Sequence, residues 1–173
     1  MSERSMHPVV VANRVIDSGV AEAPHNRVTH QLSVIEDDVA VVESFSHCWI
    51  VRTDEGLVCF DAGGVRHGAD VMAALRSWSN QPIHSLVYTH GHLDHVGGSG
   101  AFVADAADRG HVRPRFLAHE ALPARFDRYR ATSGWNQMIN RRQFGGIRNP
   151  QGLGIAGNGP KFLPDDVADP AEV

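Results

Sequence analysis

Apolar positions fall first in short β-branched tracts and later at helical spacing. Val28 to Ile35, Val39 to Glu43, Cys48 to Arg52 and Leu57 to Phe60 have the brevity and β-branched content of strands. Turn residues Glu36-Asp37-Asp38 and Asp54-Glu55-Gly56 separate them, which predicts a meander closed by a hairpin. In the mixed segment 1–27, Val9 to Ala12 reads as one further short strand. From Gly68 the period changes: Val71, Ala74, Leu75 and Trp78 recur as on one face of an amphipathic helix that ends near Asn80, ahead of Pro82. A strand over Ile83 to Tyr88, a loop rich in Gly and His, a small-residue helix over Ser99 to Ala107, a strand over Arg115 to Ala118 and helices over Ala121 to Ala131 and Trp135 to Gln143 follow. The alternation implies an α/β layer joined to the meander. The division is therefore a segment 1–27, a domain 28–144 and a Gly/Pro-rich irregular tail 145–173, where Gly145-Gly146, Asn149-Pro150, Gly152, Gly154, Gly157, Gly159-Pro160 and Pro164 erase the periodicity.

At 173 residues and 42% hydrophobic, the chain carries enough apolar material for one packed domain. Its formal charge of -4 lacks the basic excess of a phosphate-backbone binder, so nucleic acid is not an expected partner. No stretch has the length of a membrane span or signal h-region, and a soluble, cytoplasmic protein without membrane partners is expected. Cys48 and Cys59, on the two strands of the hairpin, read as buried thiols rather than a disulfide.

Histidine changes the picture. Six consecutive positions, His90-Gly91-His92-Leu93-Asp94-His95, hold three of the eleven histidines, where an even spread would place about 0.4. Imidazole and carboxylate suit zinc, and positions i and i+2 of an extended segment point the same way, so His90 and His92 can share one ion. A turn at Gly91 would bring Asp94 and His95 toward a second ion beside the first.

His-x-His-x-Asp-His after a strand, followed by Gly97-Gly98, resembles the signature of the metallo-β-lactamase-fold hydrolases. Val58-Cys59-Phe60-Asp61-Ala62-Gly63-Gly64 is similar to that family's upstream acidic turn, where the aspartate supports the metals without ligating them; Asp61 is read either so or as plain turn chemistry. Phe116-Leu117-Ala118-His119-Glu120, the stretch Asn136 to Gly145 and the Gly-rich run Gly152 to Pro164 are similar to the alkylsulfatase branch. The resemblance implies a metallo-β-lactamase-like αβ/βα sandwich, incomplete here because it is represented by its N-terminal αβ half. It also implies a zinc-dependent hydrolase of a small-molecule substrate, sulfate esters first, with two Zn2+ in a complete site. His90, His92, Asp94 and His95 would be the metal ligands, with Asp94 also orienting the water that zinc activates.

A catalytic zinc usually takes three protein ligands, and past His95 only His111 and His119 remain. His119 is read as capping the next helix or lying on the surface rather than as a ligand, His111 as exposed, His47 as structural, and Arg141 and Arg142 as a solvated helix face. His7, His25, His30, His67 and His84 stand apart from any ligand partner in sequence. Two readings therefore remain: an enzyme completed by ligands from elsewhere, such as a second copy or another chain, or an inactive half-domain or subunit.

Overall fold

The computed structural model describes residues 6–20, 27–144 and 161–170. β1 (Leu32–Glu36), β2 (Val39–Val42), β3 (Cys48–Thr53) and β4 (Gly56–Phe60) form the expected antiparallel meander. α2 (Gly68–Trp78) then crosses over to β5 (Ile83–Val87), and β6 (Arg115–Leu117) adds beyond it, both parallel to β4. The six strands lie in sequence order in one mixed sheet, an α/β fold.

Strand alternation gives the sheet two unlike faces. Ala40, Ile50, Cys59, Leu86 and Phe116 pair across β2 to β6 in one row, and every one is fully buried. Val71, Met72 and Leu75 of α2 join this core together with Phe102 of α4 (Ser99–Asp108). Each large side chain so buried contributes about 1.5–3 kcal/mol. The opposite row, Trp49, Phe60, Val87 and Leu117, stays partly open, with Trp49 43% exposed. No second sheet lies over that face among the described residues.

Val9 to Ala12 is not a strand. It belongs to helix α1 (Pro8–Ser18), because His7 Nδ1 accepts from Val9 N–H, Pro8 starts the first turn and Gly19 closes the end in the left-handed region. The first meander strand is shorter than expected, since residues 27–31 run as coil, with Thr29 N–H and His30 N–H both donating to Glu43 O. Residues 161–170 form neither helix nor strand, and Phe162, Leu163, Val167 and Ala168 are buried in the core, with Tyr88 Oη donating to Ala168 O at 2.8 Å. The glycine-rich stretch 145–160 and His25 lie outside the described residues.

The remaining helices are α3 (Leu93–Val96), α5 (Leu122–Ala131) and α6 (Ser133–Phe144). Among the described residues no helix is long and apolar enough to cross a membrane.

Candidate metal centre

β4 and β5 run parallel, so the residues that follow them emerge at the same edge of the sheet. Asp61 follows β4; Thr89 and His90 follow β5. The His90 ring centroid lies 4.5 Å from that of His92 and 4.0 Å from that of His95, while His95 Nε2 is 3.4 Å from Asp94 Oδ2. The three imidazoles thus pack side by side, with the Asp94 carboxylate against His95. α3 makes this happen: it lifts Asp94 and His95 back toward His90, and Gly97 and Gly98 let its end pack tightly. A Cβ on Gly98 would strike the Ala62 carbonyl and stand 2.8 Å from Gly68 Cα, so glycine alone permits this approach.

Asp61 reaches the loop as the acidic-turn reading expects. Its buried carboxylate accepts from His95 Nδ1 at 2.7 Å, Thr89 N–H at 2.9 Å and Thr89 Oγ1 at 2.7 Å. The geometry fixes two tautomers. A carboxylate only accepts, so His95 carries its proton on Nδ1; the Thr89 hydroxyl spends its proton on Asp61 and can only accept from His90 Nδ1, 3.1 Å away. In the neutral form of either ring Nε2 then keeps its lone pair, the state a metal ligand needs. Burial and the nearby His95 and His92 rings hold His90 below the ordinary imidazole value, which also favours the neutral ring. Asp61 keeps this position with a left-handed φ of 61°, anchored by its N–H to Val87 O and by Ala62 N–H to His95 O.

Two contributors, Ser46 and Arg125, carried no clear sequence signal. Ser46 Oγ donates to Asp94 Oδ2 at 2.7 Å. Arg125 lies over Gly91, where a Cβ would meet its Cδ at 2.7 Å, and its Nε donates to Tyr129 Oη at 2.7 Å. A cavity of about 340 Å³ opens beside the loop, lined by His92, Asp94, Arg125, Arg128, Tyr129 and Asn140 among others. Among the described residues no carboxylate pairs with Arg125 or Arg128, so the cavity carries a positive character.

Other histidines sort themselves. His119 Nδ1 accepts from Ala121 N–H ahead of α5, a local capping role, and His47 Nδ1 donates to Ser44 O. His111 is half-buried rather than exposed. Arg142 is exposed as expected; the Arg141 side chain lies outside the described residues. Cys48 and Cys59 are buried and free, and the Cys59 contact together with burial pushes the Cys48 thiol well up, so Cys48 is not an activated nucleophile. His30 and His67 do not stand apart. With Asp70 they bring three potential ligand atoms within 4.8 Å of one another.

A model of the metallo-beta-lactamase superfamily matches residues 41–167. A linear primary-alkylsulfatase from Pseudomonas sp. is 40% identical over 75 residues, 42% of this chain and 14% of that protein. Among solved structures, the stereoselective inverting sec-alkylsulfatase Pisa1 from Pseudomonas sp. superposes with a TM-score of 0.51 at 22% identity, over 66% of this chain and 18% of that one. The metallo-beta-lactamase MIM-2 superposes with a TM-score of 0.50 at 18% identity, over 95% of this chain and 52% of that one. The chain thus spans a minor part of the alkylsulfatases it matches and about half of MIM-2.

Proposed function

The chain belongs to the metallo-beta-lactamase superfamily, and from that premise we propose that it acts as a zinc-dependent hydrolase of small anionic esters, sulfate esters first. The observation that carries this reading is the loop itself. Three imidazoles and a carboxylate meet at the end of two parallel strands, with the Nε2 atoms of His90 and His95 left as acceptors by the proton chain to Asp61. That donor set fits zinc. His90 and His92 would hold one ion, and Asp94 and His95 the other.

Zinc, once bound, supplies Lewis acidity and brings the pKa of its water to about 7. The chain's own residues do the rest. Asp61 and Thr89 orient the rings; Ser46 holds one oxygen of Asp94, whose carboxylate is placed to orient a water. Arg125 and Arg128 beside His92 and Asp94 would bind the negative group of the substrate. Similarity to the alkylsulfatase from Pseudomonas sp. supports a sulfate as that group.

A second reading, a subunit that needs a partner or a further segment to complete its metal site, is favoured by one observation. The row Trp49, Phe60, Val87 and Leu117 is apolar and only partly covered, as a sheet face awaiting another layer would be. Four ligands shared between two ions also leave each below three, so slow turnover is expected from the chain alone.

The experiment is hydrolysis of a linear alkyl sulfate, a lactam and a thioester by zinc-supplemented protein, beside His92→Ala and Arg125→Ala variants. The proposal expects slow but measurable cleavage of the sulfate ester, abolished in His92→Ala. In Arg125→Ala, KM should rise about tenfold with a smaller change in kcat, the cost of one charge-assisted bond. Absence of turnover, or turnover that survives His92→Ala, would overturn it, and the former would favour the subunit.

A further inference from the structure

We propose that His30, His67 and Asp70 form a second divalent-cation site, separate from the His90 to His95 loop, which ties the segment before β1 to the start of α2. His30 Nε2 lies 2.9 Å from His67 Nδ1, and Asp70 Oδ2 lies 3.6 Å from His30 Nδ1. The two rings are tilted by 39° with centroids 4.9 Å apart. Two imidazoles and one carboxylate, with water in the fourth position, make a zinc-type donor set. Zinc bonds of about 2.0–2.2 Å place tetrahedral ligand atoms roughly 3.4 Å apart. The imidazole nitrogens, 2.9 Å apart, would open by about half an ångström to meet it. Asp70, 59% exposed in the first turn of α2, closes the remainder by a change of rotamer.

Local structure is arranged around this contact rather than around ordinary helix needs. His67 occupies the N-cap position of α2 yet its side chain makes no capping bond; the ring turns to His30 and is almost wholly buried. His30 holds a left-handed φ of 53°, a backbone conformation that L-residues rarely adopt. Its N–H donation to Glu43 O at 2.8 Å keeps it there. A hydrogen bond between the two imidazoles would account for their 2.9 Å contact alone. It would not account for the carboxylate, which brings an oxygen of Asp70 within 4.8 Å of one ligand nitrogen from each ring.

Gly64 separates the two sites. A Cβ there would lie 3.5 Å from His67 Cδ2 and 3.6 Å from Asp94 Cα, so one backbone segment stands between the second site and the loop. The second site therefore takes its own ion. It joins residues 37 positions apart in sequence, and an ion that binds only the folded chain stabilises it by mass action.

The test removes the loop first. His90→Ala/His92→Ala protein is titrated with Co2+, followed by visible absorption, and with Zn2+, followed by metal analysis and thermal melting. His30→Asn and Asp70→Asn are then added singly to that background. Asn tolerates the left-handed backbone of residue 30, and Asp70 is exposed, so both variants should fold. The proposal expects about one zinc per chain in the loop-deficient protein and a melting midpoint several degrees higher at roughly 100 times the dissociation constant. Either added substitution should weaken zinc binding at least tenfold and remove the rise. Binding by the loop-deficient protein that is absent, or that is unchanged by both substitutions, would overturn the site.

Discussion

Replacing Asp61 with Asn isolates the proton chain that readies the histidines. Asn tolerates the left-handed φ of 61° nearly as well as Asp, so the backbone is spared. The side chain keeps its shape but exchanges one acceptor oxygen for an NH2 donor. Three donors face that carboxylate: His95 Nδ1, Thr89 N–H and Thr89 Oγ1. An amide oxygen can serve the backbone N–H, but the NH2 then confronts His95 Nδ1–H and the Thr89 hydroxyl. His95 must shift its proton to Nε2, which removes the lone pair from the side facing Asp94, or a buried donor is left without an acceptor. Losing one charge-assisted bond costs about 1.5–3 kcal/mol. Loss of the group that orients a metal-bound histidine typically weakens the metal 10- to 100-fold, about 1.4–2.7 kcal/mol. Competition of the variant and the parent chain against a chromophoric zinc chelator reads the ratio directly, and 15N chemical shifts of the His95 ring read the tautomer. A zinc affinity within twofold of the parent, with the His95 proton still on Nδ1, would refute the reasoning.

Gly98→Ala should destabilise the fold by about 1–3 kcal/mol in urea denaturation, because its Cβ meets the backbone of Ala62 and Gly68 rather than a movable side chain. Asp105 gives a pH dependence. Burial alone would raise its carboxyl, but hydrogen bonds from Arg76 and Arg109 overcome burial and hold it below the ordinary value. A depressed folded-state pKa contributes stability that is present above the unfolded value, near 4, and is lost as pH falls through the folded one. The urea midpoint should therefore decline on acidification below about pH 4, and Asp105→Asn should flatten that decline while lowering the midpoint at pH 7.

The hairpin and the histidine loop were legible because their signals are local. Cys48 to Arg52 and Leu57 to Phe60 alternate around a short polar turn, and the observed strands differ by one residue at facing ends. His90 to His95 carry their chemistry within six positions. α1 misled because Val9, Val10 and Val11 favour strands by side-chain shape; Pro8 and the His7 cap outweigh that preference, and no residue of α1 is buried to add a packing signature. The His30, His67 and Asp70 cluster was invisible in sequence, since the turn before β1 and the cap of α2 bring together residues 37 apart. Arg125 was hidden among the arginines of α5, and only its placement over Gly91 distinguishes it. Phe162, Leu163, Val167 and Ala168 follow no helical or strand period, so burial of the tail could be read only from the packed structure.

Zinc soaked into crystals of the 173-residue chain, located by anomalous scattering at the zinc edge, tests most directly whether the histidine loop holds metal. Zinc within about 2.0–2.2 Å of Nε2 of His90 and His95, with His92 and Asp94 completing the contacts, is the expected result. Zinc found elsewhere on the chain while His90, His92, Asp94 and His95 bind none would contradict it.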